Sequence, residues 1–293
     1  MHKLFKKFGV FNIVLCVFLF VYAFSMIYSI FWGFITSVKS IDEFRRNVIG
    51  LPHNWTIENY ILVFNNFVVE RTTESGTMQK VYIETQLLNS LIYVFGTCIM
   101  ATLVPCITAY LCANFDYLLS KFVYGIVIVV MALPIIGAYP SELQILNALR
   151  LYDTWAGVFI QTGSFLGIYF LVFYSAFRGI PKDYAEAAAL DGGSEWTILF
   201  RIMLPLAKNV ILTVLLLNGV SFWNNYQAPL LYLPSRPTLS YGLYYIANAG
   251  RNEMFYVPPR MAGILLVILP ILAIFFIFKD KMMGNVSMGG IKG

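Results

Sequence analysis

The stretch Pro181–Pro205 reads PKDYAEAAALDGGSEWTILFRIMLP and is a polar insert in a chain whose other long segments are nearly all apolar. Its leading proline suits a first helical turn, and the residues up to Leu190 are rich in Ala, Glu and Leu, which favour helix. The Asp-Gly-Gly that follows favours a turn, because glycine adopts positive φ at low cost. Ser194 and Glu195 can cap a second helix, which we expect to end at the last proline of the stretch. The stretch therefore predicts a helix–Gly–helix pair in water, an arrangement that serves docking more often than catalysis.

The composition of the remaining chain is that of a membrane protein. Of its 293 residues, 59% are hydrophobic and 12% are charged. Six windows contain no Asp, Glu, Lys, Arg or His, and each is close to or above the roughly 20 residues with which a helix spans a bilayer. Continuous apolar runs exclude an alternating β-barrel pattern. Because backbone polar groups in lipid must pair internally, we predict an all-α membrane protein with one domain, 1–293, whose six transmembrane helices lie at about 10–35, 88–112, 121–140, 155–177, 209–231 and 260–278.

The distribution of lysine and arginine predicts the orientation of these helices. With the N-terminus inside, the inner segments carry 11 basic residues and the outer segments carry 9, of which 5 fall in the long loop 39–84. Long loops count less for topology, so the effective balance is 11 to 4. We therefore expect both termini, the tail 279–293 and the pair 181–205 to be cytoplasmic, and 39–84 to be extracytoplasmic. The net charge of +5 then reflects topology and contact with the lipid bilayer, and it gives no indication of nucleic acid.

The sequence lacks the usual catalytic and metal-binding patterns. It has no phosphate-binding loop, so we expect any ATP to be bound and hydrolysed by separate subunits and this chain to hold no cofactor. Its four cysteines all lie in apolar windows, where a packing role is expected, and its two histidines are isolated in sequence. We therefore predict that the chain is not an enzyme and that it has no metal site.

Several motifs resemble those of a known family. Glu186-Ala187-Ala188, Asp191-Gly192 and Ile202-x-Leu204-Pro205 resemble the EAA loop of type I permease subunits of binding-protein-dependent ABC importers. Further matches resemble the carbohydrate class, which includes the maltose and multiple-sugar systems, and they run nearly from end to end: Ser37-Val38-Lys39, Gly50-Leu51-Pro52, Glu58-Asn59-Tyr60, Trp223-Asn224 with Pro229-Leu230, and Gly289-Gly290-Ile291-Lys292-Gly293.

This resemblance implies a function and an assembly. The chain would be the transmembrane permease subunit of an ATP-driven importer in a bacterial plasma membrane, and it would translocate a sugar or oligosaccharide. Its partners would be a second permease subunit, usually forming a heterodimer, two ATP-binding subunits and an extracytoplasmic solute-binding protein. The residues that would couple it to the ATPase are those of the EAA loop: Glu186, Ala187, Ala188, Asp191, Gly192, Leu204 and Pro205.

Polar and aromatic side chains late in the fifth predicted helix are candidates for the substrate pathway. Amides can read sugar hydroxyls, and aromatic faces can cover sugar C–H groups. The alternative is that these side chains bond between helices or form an interfacial aromatic belt. The candidates are Asn218, Ser221, Trp223, Asn224, Asn225, Tyr226 and Gln227, and weaker candidates in the fourth helix are Gln161, Thr162 and Ser164.

Two alternative functions stay open at this point. The chain could be a type I permease for a solute other than a sugar. It could also be a secondary carrier or a membrane enzyme whose loop matches by coincidence. Secondary carriers driven by protons generally need ionisable residues inside the membrane, and the six windows contain none. The sequence therefore favours the importer.

Overall fold

A computed structural model describes residues 10–72, 77–133, 137–249 and 256–286. The described chain is largely helical and divides into two compact units, and the single domain expected from the sequence stays a prediction. One unit comprises Met1–Val68 with Tyr245–Leu269, and the other comprises Val69–Tyr244 with Pro270–Gly293. The glycine-rich end of the predicted tail and Pro134 of the third predicted span lie outside the described residues.

The first unit contains a long apolar helix followed by two short ones. Helix α1 spans Val10–Ser37, α2 spans Ile41–Arg46 and α3 spans Glu58–Asn66. Most large apolar side chains of α1 are exposed in the isolated chain, as expected of a helix surrounded by lipid or by another subunit. Ser40 begins α2 as its N-cap and accepts a hydrogen bond from the Glu43 amide.

Hydrogen bonds join the end of α1 to α3. The Asn59 side-chain amide donates to the carbonyl oxygens of Ser37 (2.8 Å) and Lys39 (2.7 Å), and the hydroxyls of Tyr60 and Ser37 lie 2.8 Å apart. The buried Lys39 ammonium donates to the Asn47 carbonyl at 2.8 Å, and burial lowers the pKa of Lys39. Hydrogen bonds therefore join the two motifs that resemble the family here, Ser37-Val38-Lys39 and Glu58-Asn59-Tyr60.

The second unit begins with a β-hairpin. Strands β1 (Val69–Thr72) and β2 (Met78–Val81) pair antiparallel, and an ion pair of 3.3 Å joins Lys80 to Glu70. The predicted outer loop 39–84 therefore contains two helices and a hairpin.

The remaining helices form a bundle around α4, which packs against α7, α8 and α12. Their bounds are α4 Ile83–Asn114, α5 Leu118–Ala132, α6 Ala138–Ala148, α7 Trp155–Thr162, α8 Ile168–Arg178, α9 Asp183–Leu190, α10 Glu195–Ile198, α11 Leu204–Leu206, α12 Lys208–Asn224, α13 Gln227–Tyr232, α14 Leu239–Ala249 and α15 Val257–Val286, with a π-helical turn at Leu199–Met203 between α10 and α11.

Three of the six predicted spans are interrupted in the structure. The predicted helix 121–140 ends at Ala132 and resumes at Ala138 after Gly137, whose φ of +83° suits glycine. The predicted helix 155–177 is broken between α7 and α8 by a segment that carries a glycine at each end. The predicted helix 209–231 is broken at Asn225, whose side chain caps the next helix by accepting from the Ala228 amide at 3.0 Å. Charge-free windows reveal apolar length, but they do not reveal these breaks.

The other three predicted spans are longer than expected: 10–35 lies within α1, 88–112 within α4 and 260–278 within α15. Among the described residues, three helices are long and apolar enough to cross a membrane: Phe11–Ser37, Ile83–Asn114 and Val257–Ile274. A fourth is added if Glu195–Leu206 and Lys208–Asn224, which meet at 73°, form one broken span. The predicted count of six spans stays a prediction.

Candidate functional site

The predicted helix–Gly–helix pair is present, and its turn has the geometry that the sequence favours. Helix α9 is closed by hydrogen bonds from the Asp191 amide to the Ala187 carbonyl (3.0 Å) and from the Gly193 amide to the Ala188 carbonyl (2.9 Å). Gly192 lies between them with a φ of +83°. A residue with a Cβ rarely adopts this left-handed conformation, so the backbone favours glycine here.

The second arm of the pair extends beyond the predicted end. Ser194 caps α10 by accepting from the Thr197 amide at 3.3 Å, as predicted. The helix then widens into the π-helical turn, continues through Pro205 to Leu206 and bends by 73° into α12. The prediction that this helix ends at Pro205 is therefore wrong by one residue. A proline has no N–H to donate to the preceding turn, which favours the local widening instead of a stop.

One face of the second arm packs on the bundle. Ile198, Leu199 and Met203 are each no more than 4% exposed and join the core formed by α4, α5, α8 and α12. Ala207, at the bend, belongs to the same core. The pair is therefore anchored through its second arm to the helices that would lie in the membrane.

The opposite side presents large apolar side chains to solvent. Leu190 is 88% exposed, Trp196 is 70% exposed, and the Trp196 ring stacks on Phe200 with centroids 5.9 Å apart. Glu186, one turn before Leu190 on the same face of α9, is also exposed. We call these four exposed residues, Glu186 and Leu190 of α9 and Trp196 and Phe200 of the second arm, the docking face, because large apolar side chains exposed beside polar ones often mark protein interfaces.

The motif residues are distributed around this face. The exposed members are Glu186, Ala187, Asp191, Gly192 and Pro205, whereas Ala188 and Leu204 are half-buried and pack on the core. The motif resemblance assigned no role to Leu190, Trp196 or Phe200. The sequence could have indicated them, because they are large apolar residues that lie outside the helix face formed by Ile198, Leu199 and Met203.

The pathway candidates on α12 and α13 do not form one cluster. Asn218 is buried, and its amide donates to the Thr102 hydroxyl of α4 at 3.1 Å. Trp223 is also buried, and it borders an apolar groove of about 330 Å³ with residues of α4 and α15. Asn225 caps α13. The exposed candidates are Ser221, Asn224, Tyr226 and Gln227.

A small cavity lies beside the break between α7 and α8. Its volume is about 190 Å³, and it is lined by the broken segment from Ser164 to Gly167 together with Ala101, Pro105 and Asn218. Ser164, one of the weaker candidates, accepts from the Leu166 amide at 3.1 Å. The backbone polar groups that a helix break frees need partners or water, and this cavity provides space for water beside the break.

A carboxylate that the sequence did not single out joins three short helices. Glu142 on α6 accepts hydrogen bonds from the Tyr232 hydroxyl of α13 and from the Gln161 amide of α7, the latter at 3.2 Å. We call these three residues the Glu142 joint. Gln161, a weaker pathway candidate, has a structural partner here, and Thr162 donates to the Val158 carbonyl within its own helix. Within the described part of the chain, no group of His, Cys, Asp or Glu could hold a metal ion.

Comparison with known proteins gives this arrangement a family. The sequence profile described as "Binding-protein-dependent transport system inner membrane component" matches residues 101–282, which include the helix pair, the broken helices and the cavity. The chain belongs to this family. The family-level prediction is confirmed, and the chain is a multi-pass membrane protein of a class that is not itself catalytic.

Individual relatives cover nearly the whole chain. The diacetylchitobiose uptake system permease protein NgcG of Streptomyces coelicolor is 26% identical over 88% of this chain and 82% of its own length. The arabinooligosaccharides transport system permease protein AraQ of Bacillus subtilis is 26% identical over 98% of both chains. A chain of a bacterial ABC transporter that imports the acidic polysaccharide alginate matches with a TM-score of 0.75 at 22% identity, covering 94% of this chain and 99% of its own, and thus shares the fold.

Proposed function

We propose that this permease imports a sugar or an oligosaccharide, and that it works with a second permease subunit, two ATP-binding subunits and an extracytoplasmic binding protein. Both termini and the helix pair then lie on the cytoplasmic side. The family supports the dependence on a binding protein. The names of NgcG and AraQ, which refer to diacetylchitobiose and to arabinooligosaccharides, support the carbohydrate class, as do the sequence matches outside the EAA loop.

The observation that carries the coupling proposal is the two-sided helix pair. Its buried side belongs to the membrane bundle, and its docking face exposes Leu190, Trp196 and Phe200 beside the carboxylate of Glu186. A basic residue of an ATP-binding subunit would pair with Glu186, and a groove would cover the apolar side chains. Because α10 runs through the π-helical turn to Leu206, and Ile198, Leu199 and Met203 pack on the bundle core, movement of the ATPase would be transmitted to the bundle through these buried contacts and the bend into α12.

For the substrate, the break between α7 and α8 is the best candidate passage. It places backbone polar groups and the Asn218 amide around the cavity, and amides and carbonyls suit the hydroxyls of a sugar. The volume of about 190 Å³ is small for an oligosaccharide, so the helices that line the cavity would have to separate when substrate passes. Trp223, which is buried against α4 and α15, would act as a packing residue.

The docking face can be tested by replacing Leu190 and Trp196 with alanine together. We expect the ATP-binding subunits to co-purify at least tenfold less, because truncating an aromatic anchor such as Trp196 in an interface costs about 2 kcal/mol or more, and the loss of Leu190 removes further apolar contact area. Trp55→Ala is the matched control, since Trp55 is 64% exposed but lies in the first loop. The measurement is recovery of the ATP-binding subunits with the purified permease, with uptake into vesicles as the second readout.

A double variant that retains both the ATP-binding subunits and full uptake would contradict the docking face. The carbohydrate class has its own test, which is accumulation of labelled diacetylchitobiose, arabinotriose, trehalose or raffinose by vesicles that contain the wild-type complex and its binding protein. If none of the four accumulates although the binding protein stimulates ATP hydrolysis, the coupling proposal stands and a solute other than a sugar becomes the better interpretation.

A further inference from the structure

The chain that follows α1 turns back along this helix. Helix α1 ends at Ser37, and α2 ends at Arg46. Beyond α2, the Val48 carbonyl accepts a hydrogen bond from the Trp32 indole at 3.0 Å, and the rings of Trp32 and Phe44 meet edge to face with centroids 6.3 Å apart. Because a helix rises 1.5 Å per residue, Trp32 lies about 7.5 Å before the end of α1. Val48 is therefore held beside α1 and not beyond its end.

The residues around Val48 form an ordered loop, which we call the fold-back loop and define as residues 47–51. The Asn47 side chain accepts from the Gly50 amide at 2.7 Å and donates to the Leu51 carbonyl at 3.0 Å. The Lys39 ammonium donates to the Asn47 carbonyl at 2.8 Å, and the Asn47 amide donates to the Glu43 carbonyl at 2.8 Å. The carbonyls of residues 47, 48 and 51 and the amides of residues 47 and 50 thus all have partners within the chain. Backbone paired in this way can approach lipid at a low cost in free energy.

The side chains of the fold-back loop are apolar and exposed. Val48, Ile49 and Leu51 all face away from the unit to which they belong, and Ile49 is 69% exposed. A cluster of large apolar side chains on an ordered loop indicates an interaction surface. Ile57 is also 69% exposed, but the amide of its neighbour Thr56 donates to the Val38 carbonyl, so Ile57 lies close to the end of α1.

The length of α1 gives the depth of the fold-back loop in a membrane. The apolar span Phe11–Ser37 has 27 residues, which corresponds to about 40 Å of helix, whereas the hydrocarbon core of a bilayer is about 30 Å thick. With the span centred, the end of α1 lies about 5 Å outside the hydrocarbon, and Trp32 lies at its boundary. Tryptophan is enriched at this boundary. Since Val48 is bonded to Trp32, the fold-back loop lies at the same depth.

We propose that the fold-back loop inserts Val48, Ile49 and Leu51 into lipid at the boundary between headgroups and acyl chains, and so anchors this end of α1. Interfacial segments bury apolar side chains at this depth. The lipid bilayer is the partner because the loop is bonded to a membrane-spanning helix at that depth, pairs its backbone groups internally and exposes only apolar side chains beyond Asn47. The proposal goes beyond the transport function, and it depends neither on the solute carried nor on the side of the membrane that the loop faces.

The test measures depth with spin labels in the complete importer, reconstituted in vesicles of phosphatidylethanolamine and phosphatidylglycerol. The labels are placed singly by Ile49→Cys, Leu51→Cys or Ile57→Cys in a variant without the four native cysteines. Oxygen concentrates in hydrocarbon, whereas a polar nickel chelate stays in water. We expect the ratio of oxygen to nickel collision rates to be about threefold or more higher at positions 49 and 51 than at position 57. Ile57 is the matched control because it is the same residue type as Ile49 with the same exposure.

Two results of this measurement would overturn the proposal. Equal ratios at the three positions would show that the loop lies in water. An immobilised label at position 49 that neither reagent reaches would show that another subunit of the importer covers the loop.

A second measurement asks whether lipid determines the depth of the loop. The label at position 51 is combined with Ile49→Asp or, as the control, with Ile57→Asp. A carboxylate is costly to bury in lipid, so Ile49→Asp should lower the ratio at position 51 to the value found at position 57, and Ile57→Asp should leave it unchanged. An unchanged ratio in Ile49→Asp would contradict the proposal, because neighbouring protein would then set the depth. If Ile49→Asp does not assemble, the three cysteine variants still decide, since they replace exposed side chains.

Discussion

Two helix breaks in this permease follow different physical rules. The break around Gly192 is exposed, its φ is positive, and backbone hydrogen bonds from residues 191 and 193 close it. The break between α7 and α8 lies in an apolar segment. In this segment the Ser164 hydroxyl accepts a hydrogen bond from the Leu166 amide, and the residues of the break line a cavity. Water can serve polar groups at the first break. At the second break, the protein itself has to supply partners or a wet space.

The comparison shows why the first break was predicted and the second was not. Asp-Gly-Gly between two helix-forming runs is a strong local signal. Gly163 and Gly167 are single glycines in an apolar run, and single glycines also occur within spanning helices, where they favour close packing. Which of the two roles applies depends on the neighbouring helices, and a single window of sequence does not contain that information.

The largest loss of stability is expected from a substitution at the beginning of α7, the helix that precedes the second break. A Cβ on Gly157 would overlap the carbonyl oxygen of Leu151, which is backbone and cannot rotate away, whereas a Cβ on Gly167 would meet open space. Gly157→Ala should therefore cost about 3 kcal/mol or more and reduce the yield of assembled permease, while Gly167→Ala should be nearly neutral. Thermal denaturation in detergent measures both variants. If the two variants are equally stable, the backbone around Leu151 can move to accept a side chain at position 157.

The next effect concerns the first break. A Cβ on Gly192 or on Gly125 would meet open space, but only Gly192 has a positive φ. Gly192→Val should strain the turn by about 1–2 kcal/mol and weaken association with the ATP-binding subunits about tenfold. Gly125→Val, in the middle of α5, should leave association unchanged. If the two variants bind the ATP-binding subunits equally well, the turn conformation is not what positions the docking face.

The smallest effect is expected at Asn218, beside the second break. Removal of its hydrogen bond to Thr102 should cost about 0.5–1.5 kcal/mol of stability. A double-mutant cycle of Asn218→Ala with Thr102→Val separates this bond from any contact with substrate. A coupling energy close to the whole loss would assign Asn218 to helix packing. Import that falls in Asn218→Ala but not in Thr102→Val, at similar stability, would assign it to the passage.

The sequence predicted the helical class through apolar length and the helix pair through local turn chemistry. It indicated the helix pair, the Ser194 cap and the Gly192 turn, because each depends on residues close together in the chain, and it indicated the family through motifs spread along the chain. It indicated neither the Glu142 joint nor the bond between Trp32 and Val48, since these contacts join residues 16 to 90 positions apart. It also grouped the buried Asn218 and Trp223 with exposed residues. A polar or aromatic residue in an apolar window does not indicate whether its face of the helix is buried or exposed.

The Glu142 joint has a mechanical consequence. The three helices that it ties together, α6, α7 and α13, are the short pieces cut off by the breaks in the third, fourth and fifth predicted spans. With one carboxylate shared between them, we expect these pieces to travel as a single rigid cap during the transport cycle. The flexing would then fall on the two breaks between α7 and α8 and between α12 and α13, and α8 and α12 would pivot against the cap. Spin labels on Ile145 and Leu230 should keep a constant separation when ATP is added, whereas a label on α8 should change its distance from both.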